Sequence, residues 1–307
     1  MIKGLTITPP VLGRISIGRV INKDGKRLPA KDDQFTITSQ VQNKDGWVLH
    51  PLDSKLRRGG DKLRSIPVRM LFNDPDLNLK ANYTLFDRQT GRPVCVGDGV
   101  RCQRRTNNGT ESLPCPSPDR CPLAQNGSCK PYGRLYVNLS EDDELGTFVF
   151  RTTGFNSIRT LAARLSYFAA VSGNKLSCLP LQLTIRGKST TQSYRTPIYF
   201  VDLTLRDSMT LKDAVIEANA IDTELFDHGF DQAALELAAK AGYDNSDLGI
   251  DYEEGLEVMA EFYPDQEASG QVDSQACQPS TPKQSGHQTG SLQSIAQGLR
   301  QSVTAIN

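Results

Sequence analysis

The sequence predicts an α+β fold, a mainly antiparallel β core with an inserted cysteine knuckle, one packed helix and an acidic helical appendage. Three observations predict it. Short runs of alternating apolar residues, bounded by turn formers, recur through the first two hundred positions. One long stretch of helical periodicity interrupts them near residue 160. Five of the seven cysteines crowd between Cys95 and Cys129.

QFTITSQVQ (34–42) and IPVRMLFN (66–73) read as strands. In ANYTLFDRQTGRPVCVGDG, the segments YTLFD and RPVCV flank RQTG, where Gly91 can take the positive φ of a tight turn. GRLYVNL (133–139) and GTFVFRTTG (146–154) alternate again, with SEDDELG as the loop between them. The spacing of Ile158, Leu161, Ala162, Leu165 and Phe168 predicts a helix over 156–173, with Asn156 or Ser157 as its cap and Gly173 at its close. LSCLPLQLTIRG and TPIYFVDLTLR supply two further strands. LKDAVIEANAIDTELF and DQAALELAAKAGY then read as two acidic helices with alanine and leucine on their inner faces.

The formal net charge of zero conceals a division. Residues 1–212 hold 32 Lys and Arg against 18 Asp and Glu, whereas 213–267 hold Lys240 alone against 16 acids. A basic body argues for a polyanionic partner; the acidic part could be a solubilising face, a protein-binding module or an intramolecular competitor. We therefore expect a basic β-rich core over 1–210 with the knuckle at 95–130, an acidic helical region over 211–265, and a disordered linker and tail over 266–307. The tail is rich in Gln, Ser, Gly and Pro and cannot bury enough apolar surface to order itself. No run approaches the ~18 apolar residues of a membrane span, and Gly, Thr and Pro-Pro interrupt the apolar start. The expectation is a cytoplasmic protein with no membrane partner and no evident small-molecule substrate.

In a reducing compartment, clustered cysteines more often hold metal than pair with each other. The spacing C-x6-C-x12-C-x5-C-x7-C, with prolines 114, 116, 118 and 122 and Gly127, suits a loop-built site in which four thiolates close around structural Zn²⁺. The expected ligands are Cys102, Cys115, Cys121 and Cys129, with Cys95 replacing Cys102 as the alternative. Cys178 is expected in the core and Cys277 in the tail.

The cationic residues nominated for nucleic acid fall in two runs. Lys55, Arg57, Arg58, Lys62 and Arg64 crowd the glycine-containing loop SKLRRGGDKLR. Arg101, Arg104, Arg105, Lys130 and Arg134 lie within or beside the knuckle. Against this reading, such charge runs are often plain solvated surface. Tyr132, Tyr136, Phe148, Phe150 and Phe155 could stack bases, but at strand spacing they fit a core better.

PCPSPDRCPLAQNGSCKPYGRL, GTFVFRTTGFNSIRTLAARL and LPLQLTIRGKSTTQSYRTPIYFVDLTL together resemble the recombination directionality factor-like proteins of phages and mobile elements, including plasmid-borne relatives labelled "hydrolase or metal-binding". The resemblance spans roughly residues 1–210. It implies zinc at the cysteines and a role in site-specific recombination, in which such accessory proteins reverse the outcome of large serine integrases. Hydrolysis is disfavoured by the residues. An all-thiolate zinc is closed, and His50, His228 and His287 form no HExxH arrangement; we expect His50 and His228 on the surface. RGKSTT imitates a Walker A ending, but Gln182 stands where the first glycine belongs. The expected function is that of a non-enzymatic accessory factor associated with DNA, a recombinase, or both. The alternatives are a sequence-tolerant single-strand binder whose acidic region competes with DNA and, behind it, a metal-dependent hydrolase.

Overall fold

The computed structural model describes residues 10–23, 26–43, 46–57, 61–107, 109–139, 146–189, 191 and 197–243. Arg58, Cys277, His287 and the expected tail lie outside them.

Two sheets carry the fold. The larger joins β1 (Val11–Lys23), β2 (Lys26–Asn43), β3 (Gly46–Leu49), β5 (Leu79–Phe86), β6 (Pro93–Gly97), β7 (Arg101–Thr106), β8 (Gly109–Pro114), β9 (Cys129–Val137) and β10 (Thr147–Thr152). Its order is β3-β2-β1-β10-β9-β5-β6-β7-β8, antiparallel throughout except for the parallel pair β1–β10. The smaller sheet joins β4 (Ser65–Val68), β11 (Leu181–Lys188) and β12 (Ile198–Leu205) in the antiparallel order β12-β11-β4. The helices are α1 (Pro51–Leu56), α2 (Pro75–Asn78), α3 (Phe155–Val171), α4 (Leu211–Asp227) and α5 (Gln232–Tyr243).

One core cluster ties both sheets to α3 and α4. Ile15, Phe35, Ile37, Leu135, Phe148 and Phe150 come from the large sheet, Ile66, Leu181, Leu183 and Val201 from the small one. Leu161, Leu165 and Phe168 enter from α3. The helical stripe is therefore largely as the spacing predicts, but Ala162 turns outward and Ala169 is buried in its place. Gly133 on β9 permits the close approach of α3, since a Cβ there would stand 2.8 Å from Ile158 Cγ1.

The expected cap of α3 is replaced. Gly154 takes the N-cap position with no side-chain hydrogen bond. Ser157 Oγ instead accepts from the Val201 N–H at 3.1 Å, and Asn156 Oδ1 accepts from Lys188 Nζ at 2.7 Å. Both side chains serve the smaller sheet rather than their own helix end. Gly173 closes the helix at φ +66°, and Gly91 makes the β5–β6 turn at φ +65°.

The acidic helices pack on the core through small residues. Ala214 and Ala218 of α4 join the main cluster, while Ala239 of α5 packs against Phe72 and Leu77. Leu237, expected on an inner face, is exposed. Ion pairs Lys175–Asp222 (2.8 Å) and Lys240–Asp74 (2.7 Å) add to the seam, and Glu236 Oε1 accepts from the Asn73 N–H at 2.6 Å. Among the described residues no helix is long and apolar enough to cross a membrane.

Candidate metal centre and basic surface

The core cluster draws no residue from β6, β7 or β8. That far end of the large sheet carries the cysteines instead. Cys129 pairs with Leu85, Leu85 with Cys95, and Cys95 with Arg104; Gly97, two residues beyond Cys95, pairs with Cys102. Residues opposite one another across an antiparallel pair share a face, as do residues two apart on one strand. The register therefore puts Cys129, Cys95, Cys102 and Arg104 on the same face.

The segment after β8 folds back to bring the remaining thiols. The Cys115 N–H donates to the Val100 carbonyl at 2.9 Å. A Cβ on Gly97 would lie 2.9 Å from Cys115 Sγ and 2.8 Å from Cys102 Cβ, so the missing side chain at position 97 makes room for both. Cys121 sits between two 3-10 turns, Pro118–Arg120 and Pro122–Gly127. Just before them Ser117 holds φ 66°, ψ 161°, a conformation that L residues adopt only when their surroundings impose it.

Two of the thiols, Cys129 and Cys102, are shifted by their surroundings. Burial first, then the electrostatic influence of the neighbouring Cys95, Cys121, Cys115 and Cys102, pushes Cys129 up to about 12. Burial, then a hydrogen bond and charge from Cys95, pushes Cys102 up to about 11, with Arg104 opposing. The Arg104 guanidinium is itself raised, first by its hydrogen bond to Cys95, and its Nη2 lies 4.0 Å from Cys102 Sγ. Cys95 lies directly across the strand pair from Arg104, two residues before Gly97. The six described cysteines are free thiols, and Cys178 is buried in the core as expected. Among the described residues no three His, Cys, Asp or Glu side chains stand in metal-holding geometry. The donor set itself is sulfur only, the ligand chemistry of a structural Zn²⁺ site.

The nominated cations divide. Arg57 is spent on Asp53 (2.6 Å) and on the Phe35 carbonyl (2.6 Å). Lys62 pairs with Asp32 and Asp33, Arg64 also with Asp33, and Lys55 is exposed on α1. Six strand spacings, roughly 29 Å, separate β2, which carries those aspartates, from β7. Arg101 and Arg105 are exposed on the face of β7 opposite the cysteines, Lys130 is half-buried, and Arg134 is buried at 7% exposure. Phe148 and Phe150 are core, and Tyr132 is buried, so the bland reading holds for these aromatics; Phe155 is exposed.

Sequence reasoning missed Gly97 and the role of Arg104 beside the thiols, because both depend on strand pairing. It also placed His50 on the surface. The ring is half-buried, edge-on to Phe148 at 5.0 Å, and its Nδ1 accepts from the Leu52 N–H as the cap of α1. His228 is exposed, as expected.

The model of the Gp3-like, recombination directionality factor-like family matches residues 12–206, well over half of the chain. The chain belongs to that family. The matched span of this recombination directionality factor-like protein contains both sheets, α3 and all five clustered cysteines, and it ends before the acidic helices. No curated protein and no solved structure matches it.

Proposed function

We propose that this chain is a non-enzymatic accessory factor of a phage or mobile element, modulating site-specific recombination through a recombinase or on DNA. The family match carries the reading. Zn²⁺ would be held by Cys102, Cys115, Cys121 and Cys129, with Cys95 in place of Cys102 as the alternative fourth ligand. Several features support zinc: the register that puts Cys129, Cys95 and Cys102 on one face, the glycine that makes room for Cys102 and Cys115, and the guanidinium of Arg104 beside them. When bound, the ion would supply thiolate stabilisation and cross-link strands that the core does not reach.

The single-strand binder with a competing acidic region gains nothing from α4, whose Glu217 and Asp222 pair with Arg69 and Lys175, outside the nominated cations. The hydrolase reading gains nothing from a donor set of sulfur alone. The test is recombination by the cognate recombinase with and without the chain. The expected result is a changed product direction at stoichiometric, not catalytic, amounts. A recombinase indifferent to the chain, or turnover of a small substrate by the chain alone, contradicts the reading.

A further inference from the structure

The outer face of the smaller sheet carries a groove. Along β11, Leu181, Leu183 and Ile185 point to the core, while the buried Gln182, the half-buried Thr184 and the exposed Arg186 take the opposite face. With Ser65 of β4, Thr204 of β12, Arg164 and Tyr167 of α3, and the segment 206–209, they line a groove of about 590 Å³.

At its side lies Asp202, a carboxylate only 2% exposed. Arg164 binds it through Nε at 3.1 Å and Arg186 through Nε at 2.7 Å. Each guanidinium is therefore fixed by one edge. Their terminal Nη groups make no hydrogen bond among the described residues, and both side chains remain about half exposed, 49% and 54%. A ladder of hydroxyls crosses the three strands beside them: Ser65 Oγ to Thr184 Oγ1 at 3.4 Å, then Thr184 Oγ1 to Thr204 Oγ1 at 3.2 Å. The Tyr167 ring is 48% exposed at the groove wall. Ser208, also lining it, holds φ +68°, the left-handed conformation that non-glycine residues keep where the surroundings demand it.

Two pre-oriented guanidinium forks whose outer donors have no partner among the described residues match the non-bridging oxygens of a phosphate. Neighbouring hydroxyls and an exposed aromatic face are what a nucleic-acid strand adds to a bare anion site. We propose that this groove binds a phosphodiester of a single nucleic-acid strand, with Arg164 and Arg186 clamping the phosphate and Tyr167 stacking a base. The choice of DNA over other polyanions rests on the recombination reading; the site does not involve the cysteine cluster.

Fluorescence anisotropy of the full chain with labelled oligothymidylate, across a salt series, tests it. Arg164→Lys and Arg186→Lys keep the charge opposite Asp202 but lose the fork, and each is expected to weaken binding about tenfold. Arg186→Gln is expected to lower the log–log salt slope by about 0.7, the share of one single-strand phosphate contact. Tyr167→Ser, which leaves Asp202 paired, is expected to weaken binding about fivefold or more with the slope unchanged. Wild-type affinity and slope in all variants overturn the proposal, as does an absence of binding at low salt. Capture of a polyglutamate peptide in preference to the oligonucleotide also overturns it, by assigning the groove to protein carboxylates. None of these failures touches metal content or the recombination assay, so the two readings fall separately.

Discussion

At the scale of single residues, Gly97 and His50 make the sharpest predictions. Gly97→Val would drive carbon into the space held by Cys115 Sγ and Cys102 Cβ, both under 3 Å from a Cβ at that site. Neither neighbour can yield without moving a thiol of the cluster. The expected outcome is loss of bound zinc, measured as metal per chain, in a protein whose cysteines are all still present. His50 is held below its ordinary value by burial, so the folded state favours the neutral ring. Its contribution is complete above the ordinary value and is lost as the pH falls through the depressed folded one. Melting temperatures between about pH 7 and 5 should therefore fall more steeply for the wild type than for His50→Asn, which keeps a capping side chain but cannot titrate there. The cysteine cluster was legible because thiol spacing is written along the chain. The need for glycine at 97 was not, because it arises only when β6 pairs with β7.

At the scale of elements, α3 and the β6–β8 end of the sheet differ in what holds them. Leu161 is fully buried where α3 meets the core, and Leu161→Ala should cost about 2–5 kcal/mol in urea unfolding. The strands β6, β7 and β8 contribute nothing to the main cluster, so their order should depend on the knuckle. Chelation is expected to release amide protection there first, read by hydrogen exchange, while β9, β10 and α3 stay protected. Uniform loss across both regions would contradict that division. Periodicity made α3 readable because one stripe of Leu and Phe faces one core. The β7–β8 hairpin was hidden inside the expected loop because RCQRRT and GTESLP are polar, and their alternation sets cysteine and arginine against solvent rather than apolar against polar. The β1 strand was likewise unread, since Gly13 and Gly18 interrupt its alternation.

At the scale of the whole molecule, the nominated cations among the described residues fall on two sites about a sheet's width apart. Asp32 and Asp33 hold Lys62 and Arg64, with Asp33 kept far below the usual carboxylate range, first by its hydrogen bond to Lys62. Several of the 32 cations of residues 1–212 are thus held by carboxylates of the same region, a fact composition cannot carry. The existence of a basic, mostly β body was legible; its division into two sheets was not, because strand order is set by pairings distant in sequence. The central claim is that four of the five clustered thiols clasp a structural zinc. Elemental analysis of the natively purified full chain, with each clustered cysteine changed in turn to serine, tests it most directly. The account predicts one zinc per chain, lost in four variants and kept in the fifth. Metal-free folded protein, or clustered thiols found oxidised to disulfides, would contradict it.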